Sequence, residues 1–291
     1  MFPKVIFKNN SGDLIENYEH FIIDLWGVIH DGTAVYDGAI EALSHLRQRH
    51  KKIYFLSNAP RRADKVIATL EKYGITRNFY DFIITSGEAS YLFLKENEEN
   101  NFQKYGKNYY YIGPERDRGL VDGLNYNQVF QAKDADFILA IGFNHDLSTE
   151  DEQLEFLQEA AKYKLPLICV NPDFVVIKHS GQEILCAGLM AEQYEKMGGE
   201  VIYFGKPHQA IYESIFALAN EKESSKFLAI GDGIETDIKG ANNNKIDSAL
   251  IPGGILSNIL NIKYGKLPKE EDIIGICQER GIFPKFILAQ L

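Results

Sequence analysis

The sequence predicts an α/β fold built on an open, doubly wound parallel sheet. Two patterns point there. Short β-branched or aromatic runs alternate with longer amphipathic stretches, as in a series of βαβ units. Several of the short runs are continuously apolar, as expected of parallel strands covered on both faces. Strands are expected at Phe21–Trp26, Ile53–Asn58, Asp81–Ser86, Tyr109–Gly113, Asp136–Gly142, Pro166–Asn171, Val201–Lys206, Phe227–Asp232 and Asp247–Pro252. Helices are expected at Ala39–His50, Arg61–Tyr73, Glu88–Lys95, Thr149–Lys162, Ala187–Met197, His208–Asn220 and Thr236–Asn242. Lys95–Lys107, rich in Asn, Glu and Lys, reads as a solvated helix end plus a loop, and Gly119–Lys133 reads alike. The middle of the chain is thus looser than its flanks.

Composition narrows the function. The 291 residues suit one large domain or two modest ones. With 31 Lys+Arg against 41 Asp+Glu, the formal charge is −10. Such a chain has no overall attraction for phosphate backbones, so nucleic acid is a poor default partner. Cys169, Cys186 and Cys277 are too few and too scattered for a disulfide framework or a Cys-rich zinc site. They read as reduced thiols of a cytoplasmic protein. The opening MFPKVIFKNN lacks the apolar stretch of a signal peptide. No apolar run approaches the ~18–20 residues of a membrane helix, so no membrane role is expected.

In a doubly wound sheet, ligands sit at the carboxyl ends of strands. Five such ends carry chemistry. The first strand runs into Asp24, with Gly27 close behind; a carboxylate there can ligate a cation or attack an electrophile, or cap a turn. The next ends in Ser57-Asn58 before Pro60, a helix cap that also offers free N–H groups to an anion. Gly205-Lys206-Pro207 pairs an approachable backbone with a point charge suited to phosphate. Gly231-Asp232 is followed by Asp237 at a helix start. Clustered carboxylates repel unless a cation joins them, and Mg²⁺ is the natural candidate. Asn171-Pro172-Asp173 is a turn by its chemistry. No dinucleotide fingerprint or P-loop is completed at these glycines.

Taken in order, these motifs resemble the haloacid dehalogenase-like hydrolase superfamily, from about Phe21 to Gly254. More narrowly they are similar to its class IIA branch, the NagD-type and p-nitrophenylphosphatase-like proteins. The resemblance implies a Rossmann-like parallel-sheet core, residues 1–87 and 184–291, with an inserted α/β cap domain at 88–183. It implies Asp24 as a nucleophile forming an aspartyl-phosphate, and Ser57 and Asn58 as phosphoryl binders. Lys206 would neutralise nucleophile and phosphate. Asp24, Asp232, Asp237 and the Trp26 carbonyl would surround Mg²⁺, Asp237 as a nearby acid orienting the site. Asn171 and Asp173 are expected at the substrate.

One position departs from that pattern. Most family phosphatases carry a second Asp where this chain has Trp26. That Asp protonates the leaving group and then activates water. Indole N–H can donate a hydrogen bond but cannot serve as a base near neutral pH. Losing a positioned general acid/base typically costs about 10²–10⁴ in rate. His30, beside Asp31, is the leading substitute, since an unperturbed imidazole titrates near ~6.5; His208 and His179 are lesser ones. The expectation is therefore a cytoplasmic Mg²⁺-dependent hydrolase of a small phosphorylated molecule. A catalytically weak phosphate- or metabolite-binding protein is the first rival. A phosphonate or carbon–halogen hydrolase is the second. Fold analogy adds a homodimer through exposed cap surface.

Overall fold

The structure, a computed structural model, describes residues 3–177 and 182–291. The chain lays down Ile6–Lys8 (β1), His20–Ile23 (β2), Lys52–Ser57 (β3) and Phe82–Thr85 (β4). It then departs for a second region holding Asn108–Ile112 (β5), Asn127–Val129 (β6), Phe137–Ala140 (β7), Leu167–Cys169 (β8), Val175–Ile177 (β9), Glu183–Leu185 (β10) and Val201–Tyr203 (β11). Phe227–Gly231 (β12), Asp247–Leu250 (β13) and Phe286–Leu288 (β14) return to the first sheet. That sheet is parallel, in the order β1-β14-β13-β12-β2-β3-β4. A second parallel sheet is ordered β11-β8-β7-β5-β6, and β9 and β10 form an antiparallel hairpin.

Burial explains why the central strands read as unbroken apolar runs. Phe21, Ile23, Ile53, Phe55, Leu228 and Ile230 enter the cluster on one face of the sheet. Their neighbours Ile22, Tyr54, Leu56, Phe227 and Ala229 enter the cluster on the other. With side chains alternating every residue, a strand buried on both faces must be apolar throughout. The inserted sheet repeats the device: Ile138, Ala140 and Leu167 face one cluster, and Phe137, Leu139 and Ile168 face another.

The boundaries expected at 87/88 and 183/184 do not coincide with the sheets. Ala187–Lys196 forms a helix whose Ala187, Met190, Ala191 and Tyr194 pack on Ile138, Ala140 and Leu167 of the inserted sheet. β11 then pairs with β8, Val201 opposite Leu167. The expected boundary at 183/184 places both elements in the core. Their apolar faces are completed only by the second sheet, and adjacency in sequence to the core motifs concealed this. At the other junction a helix, Ser86–Glu99, runs from the first sheet into the second region. Ser86 bonds the Ala59 carbonyl at its start, and Leu94 packs with Phe137 near its end.

All nine expected strands are present; each ends a residue or more earlier than expected, and β2, β3 and β5 also begin one residue earlier. The expected helix at Thr236–Asn242 is instead a π-helical turn, Ile234–Ile238, running into Lys239–Asn243. The sequence reading missed β1, β6, β14 and the hairpin, each strand only three residues long, too short to show a period. It also missed the helix Glu270–Arg280, which buries only Ile273 and Cys277 and so has a thin apolar stripe. Among the described residues, no helix is long and apolar enough to cross a membrane. The three cysteines are free and buried.

Candidate active site

Strand order assembles the site. β12, β2 and β3 are adjacent, so Asp232, Asp24 and Ser57-Asn58 meet at one carboxyl edge. The Asp24 N–H donates to the Ile230 carbonyl at 2.9 Å, extending the ladder one residue past β2. Asp24, Asp232 and Asp237 are all buried, and each offers an oxygen lying within 4.8 Å of the others. Glycines make room for this crowding. A Cβ on Gly27, which has φ +82°, would lie 1.9 Å from Asp232 Oδ2, and one on Gly254 would lie 2.1 Å from it. The Ile255 N–H donates to the same oxygen at 2.7 Å.

Lys206 is the cation of the cluster. It is 2% exposed, and its Nζ lies 2.8 Å from Asp24 Oδ1 and 2.7 Å from Asp237 Oδ1. Asn58 clamps its backbone from both sides: the Lys206 N–H donates to Asn58 Oδ1 at 2.8 Å, and Asn58 Nδ2 donates to the Lys206 carbonyl at 3.1 Å. Asn58 Nδ2 also donates to Asp173 Oδ1 at 2.8 Å. The second Asp237 oxygen accepts from the Gly233 N–H at 3.1 Å.

The electrostatics are those of excess buried negative charge. Burial pushes the Asp24 carboxyl up to about 7; Lys206 opposes the rise and Asp237 adds to it. Burial, with Asp24 and Asp237 beside it, carries Asp232 well above the usual carboxylate range. Burial would lower Lys206, yet Asp237, Asp24 and Asp173 together hold it above an ordinary lysine. Three carboxylates face one ammonium, so the donor set is hard, oxygen-only and short of positive charge. That is the chemistry Mg²⁺ suits. Ligand oxygens in an octahedral shell with bonds of ~2.0–2.1 Å sit roughly 3–4 Å apart, a small closure from the spacing seen.

A cavity of about 1050 Å³ opens over this cluster, between the first sheet and the inserted region. The remaining expected residues take clear places on its wall. Ser57 Oγ accepts from the Ala59 N–H at 3.2 Å. Asn171 turns its Oδ1 back to the Asp173 N–H at 3.1 Å, which commits that oxygen to shaping the turn. The Trp26 indole N–H donates to the Ile177 carbonyl of β9 at 3.0 Å.

His30 differs from the expectation of a near-neutral proton carrier. It is buried, and its Nδ1 accepts from the Gly32 N–H at 3.1 Å. Burial drives its pKa down to about 4, with Asp31 opposing the fall. It is a neutral imidazole near pH 7 and cannot then deliver the proton of an imidazolium. His208 stacks on Tyr203 at 4.6 Å. His179 lies outside the described residues.

Two features escaped the sequence reading. Gly254 and the Ile255 N–H hold Asp232; a glycine pair just after β13 was their available signal. Arg61 reaches Asp117 of the inserted region at 2.6 Å, a contact without local signature.

Comparison with known proteins agrees with this architecture. The profile of the haloacid dehalogenase-like hydrolases matches residues 21–127, and a second HAD-hydrolase-like profile matches 203–265. The sugar-phosphatase AraL of Bacillus subtilis is 30% identical over 241 residues, covering 80% of this chain and 82% of that protein. A haloacid dehalogenase-like hydrolase from Brucella suis 1330 superposes with a TM-score of 0.79 at 29% identity, over 100% of both chains. The glycerol phosphate phosphatase Rv1692 of Mycobacterium tuberculosis, solved with magnesium, shares the fold at 23% identity and a TM-score of 0.62, over 83% of this chain and 70% of that one. The chain belongs to the haloacid dehalogenase-like hydrolases. Within them it falls in class IIA.

Proposed function

We propose that this protein is a phosphatase of a small phosphorylated compound, with Asp24 as its nucleophile. The observation that carries the reading is the strand-end cluster of Asp24, Asp232 and Asp237 around Lys206. An Asp24 oxygen attacks phosphorus; the bond to the leaving oxygen breaks, and an acyl phosphate forms on Asp24. Water then attacks phosphorus, releasing phosphate and restoring the carboxylate. Lys206 offsets the charge shared by nucleophile and phosphoryl oxygens. Asp24, Asp232, Asp237 and the Trp26 carbonyl would hold Mg²⁺, whose chemistry is to favour the ionised carboxylates and polarise phosphoryl oxygens. Residues from about 86 to 204, carrying the second sheet and the hairpin, would act as the cap that closes over the substrate. The named activities of the relatives, sugar phosphatase and glycerol phosphate phosphatase, support the substrate class.

Trp26 favours a second reading. Its N–H is already given to Ile177, so the usual acid has no counterpart there. The chain would then bind phosphate compounds and turn them over weakly or not at all. A panel of aryl, acyl and alkyl phosphates, with and without Mg²⁺, separates the two. The wild type should favour aryl and acyl phosphates, whose leaving groups need little proton assistance. Asp24→Asn should keep the fold and lose turnover. Wild-type turnover in Asp24→Asn would refute the covalent route. Binding of Mg²⁺ and phosphate without turnover of any ester would establish the second reading.

A further inference from the structure

Trp26 stands at the second position after the nucleophile, yet its side chain faces the hairpin of the inserted region. The indole lies on Gly32, where an added Cβ would come within 2.2 Å of Trp26 Cη2. Its edge meets the His30 ring, centroids 5.7 Å apart. Its N–H reaches across 151 residues to the Ile177 carbonyl at 3.0 Å. Val175, Val176, Ile177, Ile184 and Leu185 of that hairpin line the cavity beside Trp26. One end of the bond is therefore on the nucleophile turn and the other is on the wall that closes the cavity.

We propose that Trp26 is a positioning residue that latches the β9–β10 hairpin over the active site, so that this position docks the cap instead of donating a proton. The proposal rests on the phosphatase reading for its kinetic consequence, though the latch itself does not. Gly32 seats the indole, His30 borders it, and the neutral His30 ring is held in place by the Gly32 N–H. His30 thereby has a structural role that its burial suits. Substrate binds productively only when the hairpin is down, so weakening the latch lowers the binding-competent fraction.

This makes a signature available, because Trp26 is the single tryptophan of the chain. Its emission reads the latch directly. Orthovanadate, added with Mg²⁺ as a phosphate mimic, should shield Trp26 from acrylamide quenching. Two replacements remove the donor: Trp26→Phe, which also gives up part of the ring seated on Gly32, and global replacement of tryptophan by its benzothiophene analogue, which keeps the shape and lacks the N–H. The analogue keeps the test valid if the phenylalanine variant folds poorly. With p-nitrophenyl phosphate, the analogue should raise KM by roughly two- to ten-fold, the range of one neutral hydrogen bond, and Trp26→Phe by at least as much; in both, KM should change more than kcat, because the main-chain Trp26 carbonyl proposed to hold Mg²⁺ is retained. A purely structural role would lower kcat through loss of active protein and leave KM alone. Unchanged KM in the analogue-substituted protein, with quenching indifferent to orthovanadate, overturns the latch. Shielding by orthovanadate in a protein that hydrolyses no phosphate ester would refute the phosphatase reading and support the latch.

Discussion

Asp232→Asn should make the metal-free protein more stable, at the expense of its metal site. The three carboxylate oxygens lie within 4.8 Å of one another. At an effective dielectric near 20, two like charges at that spacing repel by about 3 kcal/mol. Ionised Asp232 faces two such neighbours, and Lys206 offsets roughly one of them, leaving about 3 kcal/mol of net repulsion. Asparagine removes the charge and keeps the shape. It still fits between Gly27 and Gly254 and still accepts from the Ile255 N–H. Urea denaturation in EDTA at about pH 8 should therefore show the variant more stable by roughly 2–4 kcal/mol.

The pH dependence has a definite sign. Asp24 and Asp232 both have raised pKa values in the fold, Asp24 at about 7. For Asp24, between the ordinary carboxylate range and about 7 the folded state retains a proton that the unfolded chain releases, and the raised Asp232 acts in the same direction. Their contribution to stability is thus full in acid and is lost as pH rises through that window. The advantage of Asp232→Asn should shrink on going down to about pH 5, where repulsion is already relieved by protonation. Mg²⁺ at about a hundred times its Kd should stabilise the wild type by about 2.7 kcal/mol and the variant by much less. A variant less stable than wild type in EDTA at high pH would refute the mutual repulsion. Equal stabilisation of both proteins by Mg²⁺ would remove Asp232 from the metal site.

Two further outcomes follow from the same geometry. Lys206→Met should cost about 3–5 kcal/mol in urea denaturation, because it strands Asp24 and Asp237 without their buried cation. Mg²⁺ should recover part of that loss, and a variant as stable as wild type without metal would contradict the pairing. His30→Gln should leave the pH profile of kcat unchanged between about 5 and 8, since His30 is already neutral throughout that range. Loss of one limb of the profile would restore His30 as the proton carrier.

The sheet core was legible in the sequence because burial on both faces writes itself locally. A strand such as Phe227–Gly231 must be apolar at every position, and its polar successor must stand at the carboxyl edge. The motif residues could be picked out for the same reason: Asp24, Ser57, Asn58 and Asp232 each follow an apolar run by one or two residues. The extent of the inserted region was not legible. Ala187–Lys196 and Val201–Tyr203 read as an ordinary helix and strand wherever they pack, and only the cluster with Ile138 and Leu167 assigns them.

Residue types and their order along the chain were enough to define the hydrolase family and name the acids. Tertiary structure alone decided what those residues do to one another. His30 became a neutral buried ring because tertiary packing desolvates it. The Trp26 indole found its acceptor 151 residues away, on a hairpin too short to announce itself. Desolvation and contacts between distant segments depend on how two hydrophobic cores pack together, and no local pattern of residues encodes that.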